Sequence, residues 1–161
     1  MTPAEHSYLI QEIDNMVYEH GKSMLREMGY QVEDFNKNDL HFLRRNNGFD
    51  NPDSVVKLDG KNMGFIFWKG VLGEAWEMEE RIYNACYGIQ RKLILPIYIV
   101  LGKVNIVEKR VLELRYLRFP GRRGIKEIRL THNKDDIIVF DERWLNPFRE
   151  FENEFYSEWM L

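Results

Sequence analysis

The chain is poor in the residues that announce common chemistries. It has a single cysteine, Cys86, so no intrachain disulfide can form. Its four histidines, His6, His20, His41 and His132, are scattered. A zinc site built from them and one thiol is not expected. Cys86 falls on the apolar face of a predicted helix and reads as an inert core thiol. No Walker loop, no Gly-x-Gly-x-x-Gly and no His-Glu-x-x-His occurs, which removes the usual nucleotide and zinc-peptidase readings. No run approaches the ~18 apolar residues of a membrane span. Met1-Thr2-Pro3-Ala4-Glu5 lacks the basic segment and apolar core of a signal peptide. Low-complexity tracts and internal repeats are missing as well. Together these absences lead us to expect a soluble cytoplasmic protein with no membrane partner.

What is present suits one folded unit. The 161 residues favour a single domain spanning the whole chain, and an apolar share of 44% is ample for its core. The net charge of −3 is unevenly spread. Eight lysines and arginines lie between Lys109 and Arg129, opposed only by Glu113 and Glu127. That stretch carries +6 and the remainder −9. Such asymmetry can mark an anion-binding face. It also arises when outward charges alternate on two solvated strands.

Thr2-Pro3-Ala4-Glu5 is a capping box with proline at the first helical position. Leu9, Ile13, Met16, Val17, Met24 and Met28 follow at helical spacing, and Gly29 is a fitting stop. The spacing predicts a helix from Pro3 to Met28, weakened at Gly21. Tyr30 to Phe35 reads as a strand, and Leu40 to Leu43 as a strand or a helical turn. Ser54 to Leu58 and Met63 to Lys69 form a predicted hairpin around Asp59-Gly60. A helix is expected over Glu74 to Arg91, with Ala75, Met78, Ile82, Cys86 and Ile89 on one face. Leu93 to Leu101 is apolar at nearly every position, as a strand buried on both faces would be. Strands are predicted over Arg110 to Phe119, Ile125 to Leu130 and Ile137 to Phe140. A last helix carries Phe148, Phe151, Phe155 and Trp159 as its apolar stripe, which could serve the core or a homodimer contact. The order of elements predicts an α/β fold with a mixed central sheet and flanking helices.

One constellation remains. Pro52-Asp53 is followed, after fifteen residues, by Lys69 at the end of the apolar strand Phe65-Ile66-Phe67-Trp68. The carboxyl end of such a strand is the usual place for chemistry in an open α/β sheet. Each member also has an ordinary role. Asp53 suits a turn, Lys69 can simply reach solvent, and Glu74, Glu77, Glu79 and Glu80 would suit the first turns of a helix.

The spacing, with its hairpin, crossover helix and following strand, resembles the PD-(D/E)xK nuclease superfamily over roughly Pro3 to Leu101. The resemblance implies a restriction-endonuclease-like core and Mg²⁺- or Mn²⁺-dependent hydrolysis of DNA or RNA phosphodiesters. It makes Asp53 a metal ligand and Lys69 a catalytic cation. The acid expected two residues before the lysine is here Phe67, which cannot bind a metal. Some members supply that acid from the following helix, which makes Glu77 or Glu74 the second ligand, Glu77 being also catalytic, and Glu19 a possible accessory acid. Arg44, Arg45, Arg122 and Arg123 would contact phosphates. The alternatives are a non-cleaving relative, favoured by Phe67, and an unrelated binding module.

The nuclease reading depends on the hairpin register, because Asp53 must share a face with Phe67 and Lys69. A loop of Leu58-Asp59-Gly60, with positive φ at Gly60, meets that condition. It pairs Lys57 with Lys61 and sets Asp53 level with Phe65. A two-residue loop places Asp53 opposite Ile66, on the wrong face, unless a bulge restores the phase.

Overall fold

The computed structural model describes residues 2–35, 51–131 and 136–155. Leu40 to Leu43, Arg44, Arg45, His41, His132 and Trp159 lie outside the described residues.

Helix α1 (Pro3–Glu27) opens on the expected capping box. The Glu5 N–H donates to Thr2 Oγ1 at 3.1 Å, and the Thr2 N–H donates to the Glu5 carboxylate at 3.2 Å. Ile13, Val17, Gly21 and Leu25 recur every four residues and are buried. Gly29, at φ 96°, turns the chain into β1 (Gln31–Asp34). Strands β2 (Ser54–Leu58) and β3 (Lys61–Val71) follow as an antiparallel hairpin. Next come β4 (Trp76–Glu79), helix α2 (Glu80–Lys92), β5 (Ile97–Asn105) and β6 (Arg110–Arg118). Strands β7 (Ile125–Arg129), β8 (Ile137–Phe140) and the short β9 (Asn146–Pro147) complete the set.

Two sheets result among the described residues. The larger has the order β1-β2-β3-β5-β6-β9, and the smaller has the order β4-β8-β7. Strands β3 and β5 are parallel and joined through β4 and α2, while their neighbours run antiparallel. This is the expected mixed sheet. The two faces of β3 feed two cores. Ile66 and Trp68 pack with α1 and with Phe148, Phe151 and Phe155. Phe67 and Val71 pack with α2, β4 and the small sheet. Helix α1 lies unusually close to the large sheet. A Cβ on Gly21 would fall 2.1 Å from Trp68 Cζ3, and one on Gly70 would fall 2.7 Å from Ile13 Cγ1. The glycine that weakens the helix in isolation is thus what lets Trp68 seat beneath it.

Several expectations are corrected. The hairpin loop has two residues, not three: Leu58 pairs with Lys61. Asp59 and Gly60 both take positive φ, 51° and 77°, the combination of a type I′ turn. The register then shifts. Lys57 pairs with Asn62 but Val56 pairs with Gly64, which leaves Met63 as an extra residue in β3. That bulge carries Ser54 opposite Ile66 and restores the phase that the two-residue loop would have lost. The predicted helix over Glu74 to Arg91 is two elements, β4 and then α2. Trp76 and Met78 alternate inward as β4 pairs with β8, and the helix begins only at Glu80. Strand β5 starts later than its apolar run, at Ile97, just past Pro96. In place of the predicted helix, Phe148 and Phe151 sit on a 3₁₀ turn over Phe148–Asn153; Phe155 follows it, and all three are buried in the chain's own core. Cys86 is fully buried, its thiol donating to the Ile82 carbonyl.

Candidate active site

The site is built at an open strand edge. Strand β2 pairs with β3 only as far as Ser54 and Ile66, whereas β5 pairs with it through Val71. Beyond Ile66, β3 therefore has no β2 partner, and its backbone N–H groups on that side need other acceptors. Two carboxylates supply them. The Trp68 N–H donates to Asp53 Oδ2 at 2.8 Å, and the Gly70 N–H donates to Asp14 Oδ1 at 2.7 Å. The backbone around Asp53 is fixed in turn: its N–H donates to the Ile66 carbonyl, and its carbonyl accepts from Phe35.

Lys69 sits between these two capped positions. Its ammonium is 2.8 Å from Asp14 Oδ2 and 3.4 Å from Glu79 Oε2. The side chain is only 9% exposed, and Lys69 is the one charged residue among the described buried set. Burial by itself would push the lysine down. Asp14, Glu79 and Asp53 together outweigh it and hold the ammonium above its ordinary value. Lys69 is therefore a fixed cation at neutral pH and not a general base. Burial pushes Asp14 up; Lys69 and the Gly70 N–H pull back without cancelling it.

Asp14, Asp53 and Lys69 line one cleft of about 390 Å³, together with Gln11, Asn15, Tyr18 and Phe67. Tyr18 donates to Asp34 Oδ1 at 2.5 Å on the same wall. Burial and that hydrogen bond raise the phenol to about 12.

Of the residues singled out in the sequence, Asp53 and Lys69 meet here. Glu74 is exposed and precedes β4, and Glu77 lies within β4, so the two do not share a helical face. Glu77 pairs with Arg129 at 3.5 Å, and Glu19 pairs with Lys22 at 3.3 Å. The acids that reach Lys69 are Asp14 and Glu79. Asp14 has a legible signal. Gln11, Asp14, Asn15 and Tyr18 occur at i, i+3, i+4 and i+7, a polar stripe beside the apolar one. Glu79 has none, because its position depends on where β4 ends. Phe67 is 3% exposed and belongs to the core below α2.

Arg122 and Arg123 are exposed on the 3₁₀ turn before β7. The Arg122 guanidinium donates to the Tyr87 hydroxyl at 2.7 Å. Much of the basic stretch is neutralised locally. Lys109 pairs with Glu12, Arg110 with Glu108, Arg115 with Glu113 and Glu142, and Arg129 with Glu77 and Glu127.

Among the described residues, no three His, Cys, Asp or Glu side chains form a closed metal cage. Mg²⁺ does not require one: it is usually held by one or two carboxylates, with waters and substrate phosphate completing the octahedron. Asp53 lines the cleft and Glu79 reaches Lys69 at 3.4 Å, and both are hard oxygen donors of the kind such an open site uses. Phe67 contributes nothing to it.

No protein-family model matches the chain, and no curated protein does. Among solved structures it is similar to Hjc, a Holliday junction resolvase from the archaeal hyperthermophile Archaeoglobus fulgidus. The TM-score is 0.54 at 11% sequence identity, over 84% of this chain and 97% of that one. No helix among the described residues is long and apolar enough to cross a membrane. With its mixed sheet, its flanking helices and Lys69 at the end of β3, the chain has a restriction-endonuclease-like α/β fold.

Proposed function

We propose that the protein is a nuclease-like enzyme that hydrolyses phosphodiester bonds in nucleic acid at the cleft beside Lys69. The observation that carries this reading is the convergence of Asp14 and Glu79 on one buried ammonium at the carboxyl end of β3, with Asp53 lining the same cleft. The fold, shared in outline with a resolvase, supports it. Asp53 and Glu79 would hold Mg²⁺ or Mn²⁺, which, when bound, lowers the pKa of water and polarises the phosphate. Lys69, held cationic by its acids, offsets the negative charge that builds on the phosphate oxygens as water attacks phosphorus and the P–O bond breaks. Asp14 fixes that ammonium in place while capping the Gly70 N–H. Glu79 takes the part that the missing acid at Phe67 would have had. A ligand role for Glu77, which the resemblance implies, would need its carboxylate to leave Arg129.

The test is cleavage of labelled branched and linear DNA, and of RNA, with Mg²⁺ and with Mn²⁺. Cleavage should be lost in Lys69→Met and in Glu79→Gln, and kept in Glu77→Gln. Loss in Glu77→Gln with an active Glu79→Gln would move the metal site to Glu77.

A second reading follows from Phe67. A protein that lacks the acid on β3 can keep the cleft and bind nucleic acid without cutting it. Salt-sensitive binding by the wild type, with no cleavage in either metal, is its signature.

A further inference from the structure

Strand register places a second cation on the Lys69 face of the sheet. Lys69 pairs with Leu101, and Val71 pairs with Lys103, in the parallel ladder of β3 and β5. Residues paired in this way point to the same side, and side chains two apart on one strand share a face. Lys103 thus lies on the face of Lys69, one strand across and two residues further along. Strand spacing and rise put their Cα atoms roughly 8 Å apart. Strand β4 spans the gap: Glu79 at one end meets Lys69, and Trp76 at the other end meets Lys103.

The surroundings of the two lysines differ. Lys69 has two carboxylates. Arg115, on the same face through its pairing with Leu101, has Glu113 and Glu142 and also donates to the Leu145 carbonyl. Lys103 is half-buried; Glu113, opposite it in the β5–β6 register, is held by Arg115 at 2.8 Å, and the Lys103 ammonium lies over the face of the Trp76 indole, 4.6 Å from nitrogen to ring centroid. Arg115 approaches the same ring at 5.8 Å. A ring face attracts an ammonium without neutralising it or using up its N–H donors. A half-buried cation left in this state, beside a second cation, is a site for an anion.

We propose that Lys103, seated on Trp76, is a second phosphate-binding cation, which takes the backbone phosphate adjacent to the one engaged at Lys69. The proposal rests on the nucleic-acid reading above. Trp76, over which the ammonium sits, orients it, and β4 lies over Val71 and Leu101 between the two cations.

The test is a salt titration of binding to a fluorescent branched DNA duplex, in Ca²⁺ so that nothing is cut. The wild-type plot of log affinity against log salt should lose about 0.9 of its slope in Lys103→Gln, the share of one phosphate contact on duplex DNA. Lys103→Arg should keep the slope, and Lys92→Gln, on the exposed end of α2, should not change it. Lys103→Met keeps the stem on Trp76 and serves if the glutamine variant melts below wild type. A wild-type slope in both Lys103→Gln and Lys103→Met, with wild-type protein that binds, overturns the proposal and leaves the nuclease reading standing. No salt-dependent binding by the wild type overturns both.

Discussion

Asp14 and Lys69 lie 55 residues apart in sequence and 2.8 Å apart in space, and the same carboxylate caps the Gly70 backbone. The pair joins α1 to the open edge of β3, so it serves the fold as well as the site. Removing one partner of a mostly buried pair leaves a charge without compensation. Asp14→Ala should therefore cost about 3 kcal/mol in urea denaturation. Asp14→Asn keeps an acceptor for Gly70 and should cost less. Adding Lys69→Met to Asp14→Asn should recover part of the loss, which a double-mutant cycle would read.

The electrostatic role proposed for Lys69 should appear in turnover rather than in substrate affinity. Loss of a preorganised charge stabiliser typically lowers kcat by about 10²–10³-fold. Lys69→Met should fall in that range, and single-turnover cleavage at saturating enzyme measures it. A change confined to KM would assign Lys69 to binding alone.

Gly21→Ala should destabilise the protein, although alanine is the better helix former by about 1 kcal/mol. The added methyl would stand 2.1 Å from the Trp68 ring, so helix or indole must move. Overpacking of this kind costs about 1–3 kcal/mol. A lower melting temperature and an altered near-ultraviolet dichroism band would record it.

Tyr18 links α1 to β1 through Asp34, with its phenol raised to about 12. Folded protein therefore keeps the proton over a range where the unfolded chain, with a tyrosine value of 10.0, loses it. The stabilisation is full below that unfolded value and fades as pH rises toward the folded one. The stability difference between wild type and Tyr18→Phe should shrink across this window. A difference that stays constant from pH 9 to 12 would contradict the assignment.

Because Lys109, Arg110, Arg115 and Arg129 already hold carboxylates, the +6 balance overstates what a nucleic acid would meet. Arg122→Ala with Arg123→Ala should lower the salt slope of DNA binding by no more than about two contacts. A larger drop would mean that the turn before β7 organises other cations.

Local patterns in the sequence determined much of this protein. The capping box placed the start of α1, the helical spacing of Leu9, Ile13, Met16, Val17, Met24 and Met28 gave the side that packs on the core, and the apolar runs gave β3 and β5 as doubly buried strands. Asp59-Gly60 marked the hairpin, and the spacing of Asp53 and Lys69 marked two side chains that line one cleft. Each of these is written within a few residues, where propensity and period act. Tertiary structure decided what depends on distant partners. Trp76 to Glu79 carries a helix-like pattern but becomes a strand because β8 offers it a ladder. The extra residue at Met63 sets the face of Asp53, and no turn rule foretells a bulge three residues from the loop. Asp14 and Glu79 reach Lys69 only because an early end to β2 opens one edge of β3 and β4 folds across its face. A buried lysine must find its counter-charges in space, and the sequence does not record which carboxylates the packing brings within reach.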